Sequence, residues 1–201
     1  MNNYNSSLNT AISNPVCYDD GMESLVSAFG KIDEKDPDYW GSSEIEHIRS
    51  HIKVHYIKEQ RNYCCYCRRP MLSEHNGLWD VEHVISRSQK PAFMFTPMNL
   101  AVSCKDCNIA KGSKNVLVNK TRVTFPDKSG DYLIVHPHFD DYYEHIYRKD
   151  VIYLPRKNSS KGKYTINVCD LLRFVEKYAD LPRTKDDSYA IEAETLLSEL
   201  K

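Results

Sequence analysis

Apolar residues at Ile45, Ile48 and Ile52 recur at three- and four-residue intervals, which predicts a helix running to about Gln60 with Ser42 or Ser43 as its cap. Met22–Phe29 predicts one short helix, and Lys31–Gly41, with Asp36-Pro37-Asp38, a loop. Trp79–Ile85 alternates as a strand does, and Ser103–Lys111 reads as a tight turn entering a short helix that Gly112 ends. Arg122–Phe125, Tyr132–Val135, Val151–Leu154 and Tyr164–Val168 are further strand candidates, and Lys157–Lys163 is a polar loop. Asp170 is placed to cap a helix over Leu171–Tyr178, and Ser188–Lys201 reads as a terminal helix. The expected class is α+β. Residues 1–20 form a flexible tail, 21–60 a helical segment, 61–119 a compact core unit and 120–201 a small C-terminal α+β lobe.

Composition narrows the class. The chain has 201 residues, 41% of them apolar, which excludes wholesale disorder. No apolar run approaches the roughly 18 residues a membrane span needs. The start, MNNYNSSLNT, lacks a basic stretch before an apolar one. The expectation is a cytoplasmic protein with no membrane contact. The net charge of -1 hides a split. Residues 61–128 carry 11 Lys and Arg against 5 Asp and Glu, so the remainder is acidic at about -7. The positive field therefore surrounds the core unit, where a polyanion would be handled.

That unit also holds five of the seven cysteines. Cys64-x-x-Cys67 and Cys104-x-x-Cys107 are matched pairs, and a two-residue gap lets both thiolates of a knuckle reach one tetrahedral Zn²⁺. Four thiolates leave no open position, so such a zinc is structural. Cys65 is read as a bystander, and Cys17 and Cys169 as free thiols. Buried apolar cysteines or a redox pair are the plainer alternatives.

Between the pairs lie Glu82-His83, then Asn99, then Asn108 and Lys111. A carboxylate and an amide oxygen suit Mg²⁺ or Mn²⁺. Histidine titrates near neutrality and can take a proton from water. Metal beside a water-activating histidine is an arrangement for phosphodiester hydrolysis. Each residue alone has an ordinary reading: a Glu-His pair on a surface, asparagines as caps or turns. On a strand, Glu82 and His83 point to opposite faces.

Taken together, YCCYC…VEHVISRS…MNLAVSCKDCNIAKG resembles the HNH endonuclease motif in its zinc-stabilised, four-cysteine form. The likeness covers roughly residues 61–115. It implies a ββα-metal fold: two antiparallel strands and a helix around one divalent ion. It implies His83 as general base, Glu82 and Asn108 as ligands of Mg²⁺ or Mn²⁺, and Asn99 as the brace of the inter-strand loop. Lys111 and Arg87 are assigned to substrate phosphate, and Cys64, Cys67, Cys104 and Cys107 to Zn²⁺. Glu stands where the family more often has Asp, and Asn where it often has a final His.

The flanks, including His136-Pro137-His138-Phe139-Asp140-Asp141, resemble small prokaryotic antiviral HNH nucleases such as the Septu nuclease subunit and retron-associated HNH proteins. That likeness implies a regulatory ATPase partner. The expected function is metal-dependent cleavage of nucleic acid, DNA ahead of RNA; the alternative is a non-catalytic zinc-knuckle adaptor. His47, His51 and His55 share one helical face, read as solvated. His136 and His138 are read as locally hydrogen bonded.

Overall fold

In a computed structural model, residues 9–71 and 76–179 are described. The predicted terminal helix Ser188–Lys201 lies outside them. The chain runs through α1 (Asp20–Gly30), α2 (Glu46–Glu59), β1 (Trp79–His83), β2 (Leu100–Cys104) and α3 (Lys105–Lys111). A one-turn α4 (Tyr142–His145) follows, then β3 (Ile146–Lys149), β4 (Ile152–Pro155), α5 (Ser160–Val168) and α6 (Arg173–Ala179). The mixed helix-and-strand class is as expected, and β1-β2-α3 is the ββα unit.

β1 and β2 pair antiparallel, with Trp79 opposite Cys104 and His83 opposite Leu100. The edge of β2 away from β1 is covered by a side chain. Gln60 donates Nε2–H to the Val102 carbonyl at 2.8 Å and accepts the Val102 N–H at 2.8 Å, imitating a neighbouring strand. α2 packs on this sheet through the predicted stripe, Ile45 at its N-cap with Ile48 and Ile52, all fully buried, and Tyr56 extends it.

The N-terminal segment departs from the expected tail. From residue 9 on it is pinned along α2 and across to the C-terminal lobe. Ile12 and Val16 are buried, and Ile12 N–H bonds the Pro137 carbonyl at 2.8 Å. His51 and His55 contact the Cys17 and Asn14 carbonyls at 2.9 and 2.8 Å, so their face of α2 is a seam rather than a solvated surface. Two apolar anchors in an Asn- and Ser-rich stretch suffice once backbone carbonyls find donors.

The C-terminal lobe departs as well. Residues 122–125 form no strand, and Tyr132 makes only an isolated bridge with Leu117. Tyr164–Val168 is helical. Ser159 caps α5 by accepting the Gly162 N–H at 2.9 Å, a signal that outweighs the β-branched content of the segment. Gly162 is required because a Cβ there would lie 2.1 Å from the His145 carbonyl oxygen. β3 was not anticipated. The β3–β4 hairpin supports the first knuckle: Tyr153 donates to the Cys67 carbonyl at 2.9 Å, and Arg148 to the Arg68 carbonyl at 3.1 Å.

Candidate metal centre and catalytic cleft

The two cysteine knuckles converge as the spacing predicts. Arg68 takes a left-handed φ of 51°, which closes the first knuckle as its N–H bonds the Cys64 carbonyl at 3.0 Å. Cys104 occupies the N-cap of α3, and Cys107 lies in its first turn. One sulfur from each of Cys64, Cys67, Cys104 and Cys107 falls within 4.8 Å of the others. Tetrahedral zinc with bonds of about 2.3 Å puts its sulfurs roughly 3.8 Å apart, so the set fits that ion. Cys67 and Cys104 sulfurs are 3.9 Å apart. Cys65 and Cys169 are buried outside the cluster and Cys17 is exposed.

One contact here had no signal in the sequence. Arg173, at the start of α6, donates Nη2–H to the Cys107 sulfur at 3.2 Å. Four thiolates around Zn²⁺ carry a formal charge of about -2, and a buried guanidinium offsets part of it. The same side chain bonds the Cys169 carbonyl at 2.6 Å, so it ties the C-terminal segment to the cluster.

Beside the ββα unit lies an open cleft of about 360 Å³, lined by Trp40, Asp80, Glu82, His83, Arg87, Asn108 and Lys111 among others. Glu82 and His83 both reach it although they alternate on β1.

His83 is almost fully buried, its ring meeting Trp40 edge-on with centroids 4.5 Å apart. Its Nε2 lies 3.1 Å from the Met94 carbonyl. A carbonyl only accepts, so Nε2 carries the proton and the neutral ring keeps its lone pair on Nδ1. Burial holds the imidazole pKa down at about 3, against the bond to Met94, and the Arg87 and Lys111 charges add to the lowering. The ring therefore stays neutral at physiological pH.

Asn99 is fully buried and clasps the loop joining the strands. Its Oδ1 accepts the Ile85 N–H at 2.8 Å, and its Nδ2 donates to the Ile85 and Phe93 carbonyls at 3.1 and 3.0 Å. Met94, which holds His83, follows Phe93 directly. Asn99 thus fixes the loop that sets the imidazole.

Glu82 and Asn108 both border the cleft, but each has taken another partner. Asn108 donates Nδ2–H to an Asp80 carboxylate oxygen at 2.9 Å. Glu82 Oε1 accepts from Lys111 Nζ at 2.7 Å and from Tyr66 at 3.0 Å. Burial raises the Glu82 pKa, and Lys111 and Tyr66 oppose that rise. Lys111 is 1% exposed and also bonds the His83 carbonyl at 3.1 Å. The direct phosphate contact expected of Lys111 gives way to a role as the buried counter-ion of Glu82. Arg87 lies at the rim, 3.2 Å from the Asp38 carboxylate.

The donor set suits a hard divalent cation. Asp80, Glu82 and the Asn108 amide offer oxygens, and Glu82 Oε2 is buried without a hydrogen-bond partner. Asp80 was missed by the sequence reading. Its signal was there: it precedes Glu82 by two residues and so shares its strand face.

Residues 64–114 match the family model described as HNH endonuclease. The chain is also 28% identical over 123 residues to the Septu protein PtuB of Bacillus thuringiensis. That match spans 61% of this chain and 42% of the relative, less than half its length. The expected resemblance to HNH endonucleases, and to a Septu protein, is therefore found, and the family match coincides with the knuckles and the ββα unit. No helix among the described residues is long and apolar enough to cross a membrane.

Proposed function

We propose that this chain, with its HNH segment and four-cysteine centre, is a metal-dependent endonuclease that hydrolyses phosphodiester bonds, DNA ahead of RNA. The observation that carries this reading is His83. Its Nε2–H is committed to Met94, which leaves Nδ1 as the base, on a ring that borders a cleft furnished with hard oxygen donors. Nδ1 takes the proton of a water that attacks phosphorus. Asn99 and Trp40 hold the ring for that task. Asp80, Glu82 and Asn108 would hold Mg²⁺ or Mn²⁺, which supplies Lewis-acid stabilisation of the charge that develops on phosphate and on the leaving oxygen. Lys111 fixes the Glu82 carboxylate, and Arg87 meets phosphate at the rim. The cysteine centre holds Zn²⁺ and keeps the two knuckles in register.

The likeness to a Septu protein supports a role in prokaryotic antiviral defence, in the cytoplasm, with a regulatory ATPase partner. The acidic segments outside residues 61–128 suit a protein partner better than a polyanion. Residues 186–201, with Ile191, Leu196, Leu197 and Leu200 beside Glu192, Glu194 and Glu199, are the proposed docking segment.

The test is cleavage of plasmid DNA and of a defined RNA by the zinc-loaded chain, with Mg²⁺ or Mn²⁺, beside the His83→Ala variant. Cutting by the wild type that His83→Ala abolishes supports the reading. Intact substrate with both metals, alone and with the co-purified partner, favours a non-catalytic zinc-knuckle adaptor.

A further inference from the structure

The cleft does not end at β1. A second cavity, of about 320 Å³, adjoins it and shares Trp40, Asp80 and Val81 with it. Its other wall is a face of α2 made by Glu46, Arg49, Ser50, Lys53 and Val54, spaced at three and four residues. This is neither the isoleucine stripe that packs the core nor the histidine face that holds the N-terminal segment. The two cavities thus adjoin along Trp40, Asp80 and Val81.

We infer that this extension receives the nucleotide adjoining the cleaved phosphate, with Lys53 on its phosphate and Trp40 against its base or sugar; the inference rests on the nuclease reading. Trp40 lines both cavities and is half-buried, which places an indole where they meet. Stacking on such a ring tolerates any base. Val54 is 68% exposed and extends the apolar rim.

Lys53 lies at the cleft end of the helix face. It is near enough to Asp80 to be attracted and to Lys105, at the start of α3, to be repelled. Arg49 has a different task, since Nη1 bonds the Trp40 and Ser42 carbonyls at 2.6 and 2.7 Å. It fixes the loop that carries Trp40. The acidic member, Glu46, lies seven residues from Lys53, about 10 Å along the helix.

The test uses the full zinc-loaded chain carrying His83→Ala, titrated with a fluorescein-labelled DNA oligonucleotide at salt from roughly 50 to 200 mM. Adding Lys53→Ala should reduce the slope of log affinity against log salt by roughly 0.7–0.9, the loss of one phosphate contact, and Lys53→Arg should restore it. Lys53→Gln, which keeps the aliphatic stem, repeats the measurement should the alanine variant lose zinc. DNA should also quench emission from Trp40, with buried Trp79, the other tryptophan of the chain, as a constant background. An unchanged slope in the lysine variants, or binding without quenching, overturns the inference while cleavage by the wild type keeps the nuclease reading. A wild-type chain that neither binds nor cuts overturns both.

Discussion

Asn108 on α3 donates a hydrogen bond of 2.9 Å to the carboxylate of Asp80 on β1, and so brings two oxygen-bearing side chains from different elements to one side of the cleft. The amide spends an N–H on this contact and keeps its oxygen. The amide orients this carboxylate, whereas Glu82 faces a buried ammonium.

Asp80→Ala, Glu82→Ala and Asn108→Ala should each raise the Mg²⁺ or Mn²⁺ concentration needed for half-maximal cleavage. Asp80→Ala should match or exceed Glu82→Ala, because Lys111 already offsets the Glu82 charge. Metal titrations of cleavage rate check this; identical curves for all three variants and the wild type would remove these side chains from the metal site.

His83→Ala should slow cleavage by about 10²–10⁴, the usual worth of a general base, while zinc content and nucleic-acid binding persist. Asn99→Ala should also lower the rate, with little change in metal requirement, and should cost stability because it strands several buried backbone groups at about 1–3 kcal/mol each. Rate measurements at saturating metal, paired with urea unfolding, separate the two variants.

Zinc should co-purify at about one ion per chain. Cys64→Ser or Cys107→Ser should lose it and unfold, since structural zinc supplies on the order of 10 kcal/mol. Arg173→Ala should keep the fold but release zinc to a chelator faster, because the thiolate cluster loses its cation. Elemental analysis and chelator competition give both answers.

Lys111→Ala should destabilise the chain by about 3–5 kcal/mol, because the Glu82 carboxylate would stay buried without its partner. Lys111→Met combined with Glu82→Gln should recover most of that loss. Equal stability of Lys111→Ala and wild type in urea would show the pair to be far more hydrated than its 1–2% side-chain exposure implies.

Stability should fall as pH drops below about 6.5. Burial lowers the pKa of His136, helped by His138 and Lys161 against Asp140; burial also lowers that of His138, against its bond to the Leu100 carbonyl. The unfolded chain takes up protons near the ordinary histidine value while the folded chain does not, so acid favours unfolding. The urea midpoint should be lower at pH 5.5 than at pH 7.5, with zinc content measured in parallel, and His138→Gln should flatten the dependence. A constant midpoint with zinc retained counts against buried neutral histidines.

The cysteine pairs, the α2 stripe, the β1 alternation and the short helix ended by Gly112 were all legible because each is a local pattern. Ligand spacing fixes a knuckle, period fixes a helix face, and a glycine with a φ of 49° ends a helix where other residues would be strained. His83, Asn99, Glu82 and Asn108 stand out in the sequence through the likeness to the HNH motif. Which partner each of them takes could not be read there. Lys111 turns inward to Glu82, Asp80 joins Asn108, Arg173 reaches Cys107 from 66 residues away, and α5 forms where β-branched residues suggested a strand. Hydrogen bonds and charges in a buried setting are decided by what lies nearest in space and cannot be left unpaired without cost, and that proximity exists only once the chain has folded.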